Sequence, residues 1–289
     1  MSATSPITES PDGAREFFEA MEPIMVNGSD SKERHPGGTA RLIRDPLIAA
    51  AFLTRLPVRL KGDIQMYDLA PAAWSFPLVG LFVGILAGSA LYSFSELNLH
   101  PLACAVAGLA TAALVTGAIH EDGLADVADG FGGGASAEAK RRIMRDSRIG
   151  AFGVIALIVS FGFRLGVLAG FPGPGTAAAA LVAAAVLSRA VVPVVMALSR
   201  PAASDGLGYS AGRPSLPVAG GAFLIGAAIA VPLSGIETAL LSMAAVSVAA
   251  FAVARLARRQ IGGYTGDVLG AVQQVAEMAV LAAIGALII

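Results

Sequence analysis

Long apolar runs recur along this chain, and they leave few folds open. An α-helix crosses a bilayer with about 20 mostly apolar residues. The stretches 71–93, 101–119, 151–170, 175–199, 216–234, 237–254 and 268–289 reach or approach that length. An eighth run, Pro46–Leu56, is too short to span alone and reads as an interfacial or re-entrant segment. Charged residues make up 14 % of the chain, against about 25 % in an ordinary soluble domain. The sequence therefore predicts an all-α, polytopic transmembrane bundle of about seven spans.

The connecting segments supply an orientation. Lys and Arg concentrate in cytoplasmic loops. The loops 94–100, 171–174 and 235–236 contain neither. The alternate segments hold Arg55, Arg59 and Lys61, then Lys140, Arg141, Arg142, Arg145 and Arg148, then Arg200 and Arg213, then Arg255, Arg258 and Arg259. This alternation predicts a cytoplasmic N-terminus and an external C-terminus. Residues 1–44 are polar and lack the apolar core of a signal peptide. They read as a disordered extension, with a short helix over Ala14–Val26, before a membrane domain at 45–289. The net charge of -1 gives no footprint for nucleic acid. Cys104 is the single cysteine, so no internal disulfide forms, and His35, His100 and His120 are too scattered for a zinc site. Small residues such as Gly80, Gly84, Ala177–Ala180 and Ala183–Ala185 suit close helix packing in lipid and permit a homo-oligomer.

The chemistry gathers in the loop 120–150. Asp122, Asp126 and Asp129 stand at i, i+4 and i+7. On a helix they fall within about 60° of each other. Like charges at this spacing repel, and a divalent cation offsets that. Carboxylates, water and phosphate oxygens are what Mg²⁺ prefers. Glu121 points about 100° away and reads as a supporting group or proton acceptor, with His120 a weaker candidate.

Gly130, Gly132, Gly133 and Gly134 follow. A glycine run breaks a helix cheaply, and two readings stand side by side: a plain flexible turn, or a nest of N–H groups for an anion. Ala137–Gly150 then reads as a helix N-capped by Ser136. Arg141, Arg145 and Arg148 repeat the i, i+4, i+7 spacing, and Arg142 with Asp146 reads as a pair on the helix. Such a basic stripe suits either phosphate or anionic lipid. Arg164 and Arg189 lie inside spans. Arg164 is placed near the outer end, snorkelling outward, and Arg189 nearer the charged loops. Asp267 reads as an N-cap or a further acid at the same depth, while Gln273, Gln274 and Glu277 point to an internal cavity.

Five blocks together resemble the cobalamin synthase family, also called adenosylcobinamide-GDP ribazoletransferase. They are Phe52-Leu53-Thr54-Arg55-Leu56-Pro57, Phe76-Pro77-Leu78-Val79-Gly80, His120–Gly134, Arg145-Asp146-Ser147-Arg148-Ile149-Gly150-Ala151-Phe152-Gly153 and Gly262-Gly263-Tyr264-Thr265-Gly266-Asp267-Val268-Leu269-Gly270-Ala271. The resemblance runs from about residue 45 to the C-terminus. It implies a Mg²⁺-dependent enzyme of the bacterial inner membrane, active on the cytoplasmic side. Adenosylcobinamide-GDP and α-ribazole, or its 5′-phosphate, would give adenosylcobalamin, or its phosphate, and GMP. Other cobalamin-assembly enzymes are implied partners. On this reading Asp122, Asp126 and Asp129 hold the metal, and Glu121 or Asp129 accepts the hydroxyl proton. Arg55, Gly132, Gly133, Arg141, Arg145, Arg148, Arg189, Thr265 and Asp267 bind substrate.

Two rivals are weighed against it. A CDP-alcohol phosphotransferase also uses membrane aspartates, but its pattern needs an Ala-Arg pair soon after Asp-Gly, and Asp122-Gly123 is followed by Leu-Ala-Asp. An ion-coupled transporter needs carboxylates near the bilayer midplane, usually within inverted repeats, and no convincing repeat is present.

Overall fold

The computed structural model describes residues 38–58 and 68–288. The expected helix at Ala14–Val26, and Arg59 and Lys61, lie outside the described residues. Among the described residues the fold is helical, with one isolated bridge between Pro201 and Tyr264. Six helical segments are long and apolar enough to cross a membrane, and a bent pair brings the total to seven if it counts as one span.

The chain opens with α1 (Gly38–Leu53), which carries Pro46 inside it. Two expectations change here. Residues Gly38–Arg44, assigned to the polar extension, are the first turns of this helix. Pro46–Leu56, read as a separate short segment, is mostly its second half. The helix is tied to α2 (Leu69–Ala72) and the turn after it by Arg44 on Asp68 at 3.2 Å and Trp74 on Asp45 at 2.7 Å.

The packing centre is the pair α3 (Phe76–Glu96) and α8 (Pro174–Ala190). Gly80, Gly84 and Gly88 line one face of α3 at four-residue spacing. A Cβ on Gly80 would stand 2.4 Å from the Ala185 carbonyl oxygen, and one on Gly84 2.8 Å from the Val182 Cα. The two backbones touch, as helices do where lipid offers no hydrophobic drive and close packing must supply the attraction. The segment Pro174–Leu198, which includes α9 (Val192–Leu198), is 89 % buried in its most apolar window. The segments Ala151–Gly170, Leu216–Ser234 and Ile236–Ile261 are each 22 % buried there and form the rim. These rim helices are α7, α11 and α12. The last span is α13 (Gly266–Ile288).

The expected second span divides. The helix α4 (Pro101–Thr116) ends at Gly117, and α5 (Ile119–Gly133) leaves at 90°. Gly117 and Ala118 are both left-handed, at φ 68° and 58°. Two such residues in succession turn the chain sharply, and at Ala118 the conformation costs about 1–2 kcal/mol. Arg55 braces this elbow. Its N–H donates to the Val115 carbonyl at 2.8 Å, and its side-chain stem lies where a Gly117 side chain would be.

The loops at one end of the bundle interlock. The short helices α6 (Ala137–Met144) and α10 (Leu207–Ser210) lie there with the turn between α12 and α13. Tyr264 donates its N–H to Arg200 at 3.0 Å and accepts from Ala202 at 2.8 Å. Gly263 fits against this strand of chain because a Cβ there would sit 2.2 Å from the Arg200 carbonyl oxygen.

We expect Gly80→Val to force α3 away from α8 and lower stability by about 1–3 kcal/mol, read as a reduced thermal midpoint in detergent. An unchanged midpoint would mean that the contact bears little on the fold.

Candidate active site

Helix α5 lies across the first turns of α13 and α7, and small residues let it approach. A Cβ on Gly123 would be 2.7 Å from the Asp267 carbonyl oxygen, and one on Gly270 3.3 Å from the His120 Cα. This crossing brings Asp267 to the acidic face of α5. The charges of Asp122, Asp267 and Asp129 all bear on Asp126, and those of Asp122 and Arg145 bear on Asp267. Asp122 is exposed and Asp126 and Asp267 are half-buried. The carboxylates of Asp122 and Asp126 have no hydrogen bond or ion pair among the described residues.

Asp129 has a different setting. Its carboxylate accepts from Gly150 N–H at 2.7 Å and Gly153 N–H at 2.9 Å. These are orphan donors of the first turn of α7 (Ala151–Gly170), whose dipole favours a negative group at that point. Asp129 therefore fastens the start of α7 and is only 8 % exposed. Among the described residues, no three His, Cys, Asp or Glu side chains form a ready-made metal cage.

Glu121 faces the opposite way, into the bundle. Its carboxylate accepts from Gln274 at 3.0 Å and lies 3.7 Å from Arg164. Arg164 pairs with Glu277 at 3.0 Å, and Gln273 donates to the other Glu277 oxygen at 2.7 Å. Arg189 lies 4.0 Å from Glu277 and donates to its own helix at Ala185. The expectation that Arg164 snorkels outward is overturned. It is 1 % exposed, with its guanidinium 4.6 Å over the Phe161 ring and bonded to the Ser160 carbonyl at 3.3 Å. The polar side chains of α13 fill a bonded network and not the expected internal cavity. Glu121 and Arg189 belong to that network and lie away from the loop cleft.

The glycine turn is absent. Helix α5 continues to Gly133, so Gly130, Gly132 and Gly133 are helical and form no anion nest. Their smallness serves packing. A Cβ on Gly130 would be 2.5 Å from the Met144 side chain, and one on Gly132 2.6 Å from the Phe152 ring. Ser136 caps α6 as expected, accepting from Ala139 N–H at 3.2 Å. That helix stops at Met144, short of the expected Gly150, so the basic residues are not one stripe. Arg141 donates to the Ile261 carbonyl at 3.2 Å, and Lys140 bonds Gln260. Arg145 forks onto Asp205, with both contacts at 3.0 Å. Arg148 holds Asp146 at 2.7 Å, so Asp146 does not pair with Arg142, and these bonds keep its carboxyl down at about 2.

A cleft opens beside Asp267, between α6 and the chain around α10. Arg141, Arg145, Tyr209, Tyr264, Thr265 and Asp267 line it. Thr265, not Asp267, caps α13. Its hydroxyl accepts from Val268 N–H at 3.3 Å and donates to Asp267 at 3.2 Å. Asp205, Tyr209 and Tyr264 are the site residues that sequence reasoning missed. A signal for Tyr264 was present in the motif Gly262–Asp267, but nothing in its spacing separated a functional tyrosine from a packed one.

The arrangement offers free carboxylates beside a cleft with two guanidinium groups, a layout that suits a metal-bridged phosphate anion. The family model described as cobalamin-5-phosphate synthase matches residues 45–285. The chain is 48 % identical to the adenosylcobinamide-GDP ribazoletransferase of Bradyrhizobium diazoefficiens over 241 residues, 83 % of this chain and 92 % of that protein. It is 41 % identical to the protein of the same name from Azorhizobium caulinodans (84 % and 95 % covered) and 42 % identical to that from Sinorhizobium medicae (82 % and 94 %). No solved structure matches.

We expect Asp129→Ala to cost about 2–4 kcal/mol, from two hydrogen bonds to a charged acceptor, with a loss that added Mg²⁺ does not repair in a thermal unfolding assay. Glu277→Gln should cost about 3–5 kcal/mol by leaving the buried Arg164 and Arg189 with Glu121 as their one remaining carboxylate in the network, which the same assay reads. Wild-type midpoints for either variant would remove the corresponding structural role.

Proposed function

The chain belongs to the cobalamin-5-phosphate synthase family, and on that premise we propose that it is an adenosylcobinamide-GDP ribazoletransferase. The reaction joins adenosylcobinamide-GDP to α-ribazole, or its 5′-phosphate, and releases GMP. The observation that carries the reading is the pairing of unpartnered Asp122 and Asp126 with Asp267, beside a cleft bearing Arg141 and Arg145. The comparisons favour neither the CDP-alcohol phosphotransferase nor the transporter.

Phosphoryl transfer depends mainly on positioning and charge stabilisation. Asp122, Asp126 and Asp267 would hold Mg²⁺. The donor set suits that ion, which takes one or two carboxylates and completes its shell with water and substrate phosphate. Mg²⁺ supplies neutralisation of the pyrophosphate charge. Arg141 and Arg145 receive the departing GMP phosphate. For Arg145 this means exchanging Asp205 for the substrate anion, and both side chains are exposed enough to move.

The attacking ribazole hydroxyl forms a new bond to the phosphorus on the corrinoid side chain, and the bond to GMP breaks. Its proton passes to whichever of Asp122, Asp126 and Asp267 is left off the metal, which takes one or two carboxylates. Glu121 is poorly suited to accept it because it faces into the bundle and does not line the cleft, and Asp129 because its carboxylate already accepts from two backbone N–H groups. Asp129 likewise leaves the metal set in this scheme, and Asp267 enters it. Arg55 supports the α4–α5 elbow, and Arg148 lies further out, 86 % exposed at its side chain. The loop charges support a cytoplasmic position for this end of the bundle, and on the transferase reading the membrane would be the bacterial inner membrane.

Asp126→Asn should lower Mg²⁺-dependent GMP release by about 100-fold or more, by analogy with the loss of a single charge-stabilising group in a preorganised site. The assay uses purified full-length protein with both substrates. Turnover within a few-fold of wild type would remove Asp126 from the metal site. Absence of GMP release from the wild type would remove the transferase reading itself.

A further inference from the structure

We propose that the Tyr264 hydroxyl is a substrate-binding donor that hydrogen-bonds a phosphate oxygen on the GMP side of the pyrophosphate. The inference rests on the transferase reading and adds to it a residue outside the carboxylate and arginine sets.

Tyr264 is 2 % exposed, and its hydroxyl has no hydrogen-bond partner. A buried hydroxyl left unpaired costs about 1–3 kcal/mol, and such groups in folded proteins call for an explanation. Among the described residues, the other unpartnered buried side-chain atoms belong to Glu121, Arg164, Arg189 and Ser242. None of those residues lines the cleft. Tyr264 does, alongside Arg141, Arg145 and Asp267.

Its surroundings favour an anion as the missing acceptor. The charge of Arg213 bears on the phenol, and Arg213 itself is held by its Nε on the Ala197 carbonyl at 2.9 Å. Burial pushes the phenol above its ordinary range, so the group stays protonated and can donate. The backbone is also pinned on both sides, to Arg200 and Ala202. A side chain on so fixed a backbone has less freedom to lose when a ligand binds. Tyr264 stands three residues before Asp267, so one phosphate chain can meet both the carboxylate cluster and this donor.

Tyr264→Phe removes one oxygen and keeps the ring. For the full-length protein in detergent, we expect the thermal midpoint without nucleotide to stay the same or rise, because no internal hydrogen bond is lost. Titration calorimetry should show GMP binding about tenfold more weakly than to wild type. In turnover, KM for adenosylcobinamide-GDP should rise about tenfold, with kcat within twofold. A midpoint several degrees lower would show that the hydroxyl serves the fold and would overturn the proposal. Equal GMP affinity in the two proteins, or no GMP binding to either, would also overturn it. GMP binding is measured without turnover, so a failure of GMP release would count against the transferase reading separately.

Discussion

The ion pairs buried among α5, α7 and α13 set the geometry of everything at the loop end of the bundle. Arg164 reaches Glu277 at 3.0 Å and Glu121 at 3.7 Å. Charges at this depth are tolerated only with partners. Satisfying Glu121 therefore fixes how α5 is rotated about its own axis. Asp122 is the next residue, about 100° further round the helix, so turning Glu121 inward turns the free aspartates outward. The positions of Asp122 and Asp126 follow from a pairing made on the other side of their helix. A loss in the network would reach the carboxylates through this rotation, although none of its members need touch substrate.

Close backbone contact does the remaining positioning. Gly123 and Gly270 let α5 lie directly on α13, and Gly130 and Gly132 let α6 and α7 lie directly on α5. Asp267 joins the acidic face only because that approach is possible. The site is thus an intersection of helices from distant parts of the chain. The elbow at Gly117 and Ala118 is what allows one of them to run across the others.

Much of the fold was legible in the sequence, because an apolar run of spanning length has few alternatives. The acidic motif was legible too, since like charges at helical spacing need an external explanation. Where sequence and structure differ the cause is shared: the partner of each residue lies on another segment. Arg164 looked free to reach the surface, yet Glu277 waits on α13, and Ser160 four residues earlier marked the same inward face. The glycines after Asp129 looked like a turn because their neighbours Met144 and Phe152 were not in view. Asp129 fitted the stripe by spacing, and only the proximity of the α7 N-terminus shows that its charge is already used.

That last contact has a consequence for how the chain tolerates change. The Asp129 carboxylate joins residues 21 and 24 positions apart, so α6 and its flanking turns form an excursion whose two ends are fastened together. Closing a somewhat longer or shorter loop alters its entropy only weakly, by a fraction of a kcal/mol for small changes in length. The excursion is thus held twice over, by the clasp at its ends and by the contacts of Met144, Lys140 and Arg141 along α6.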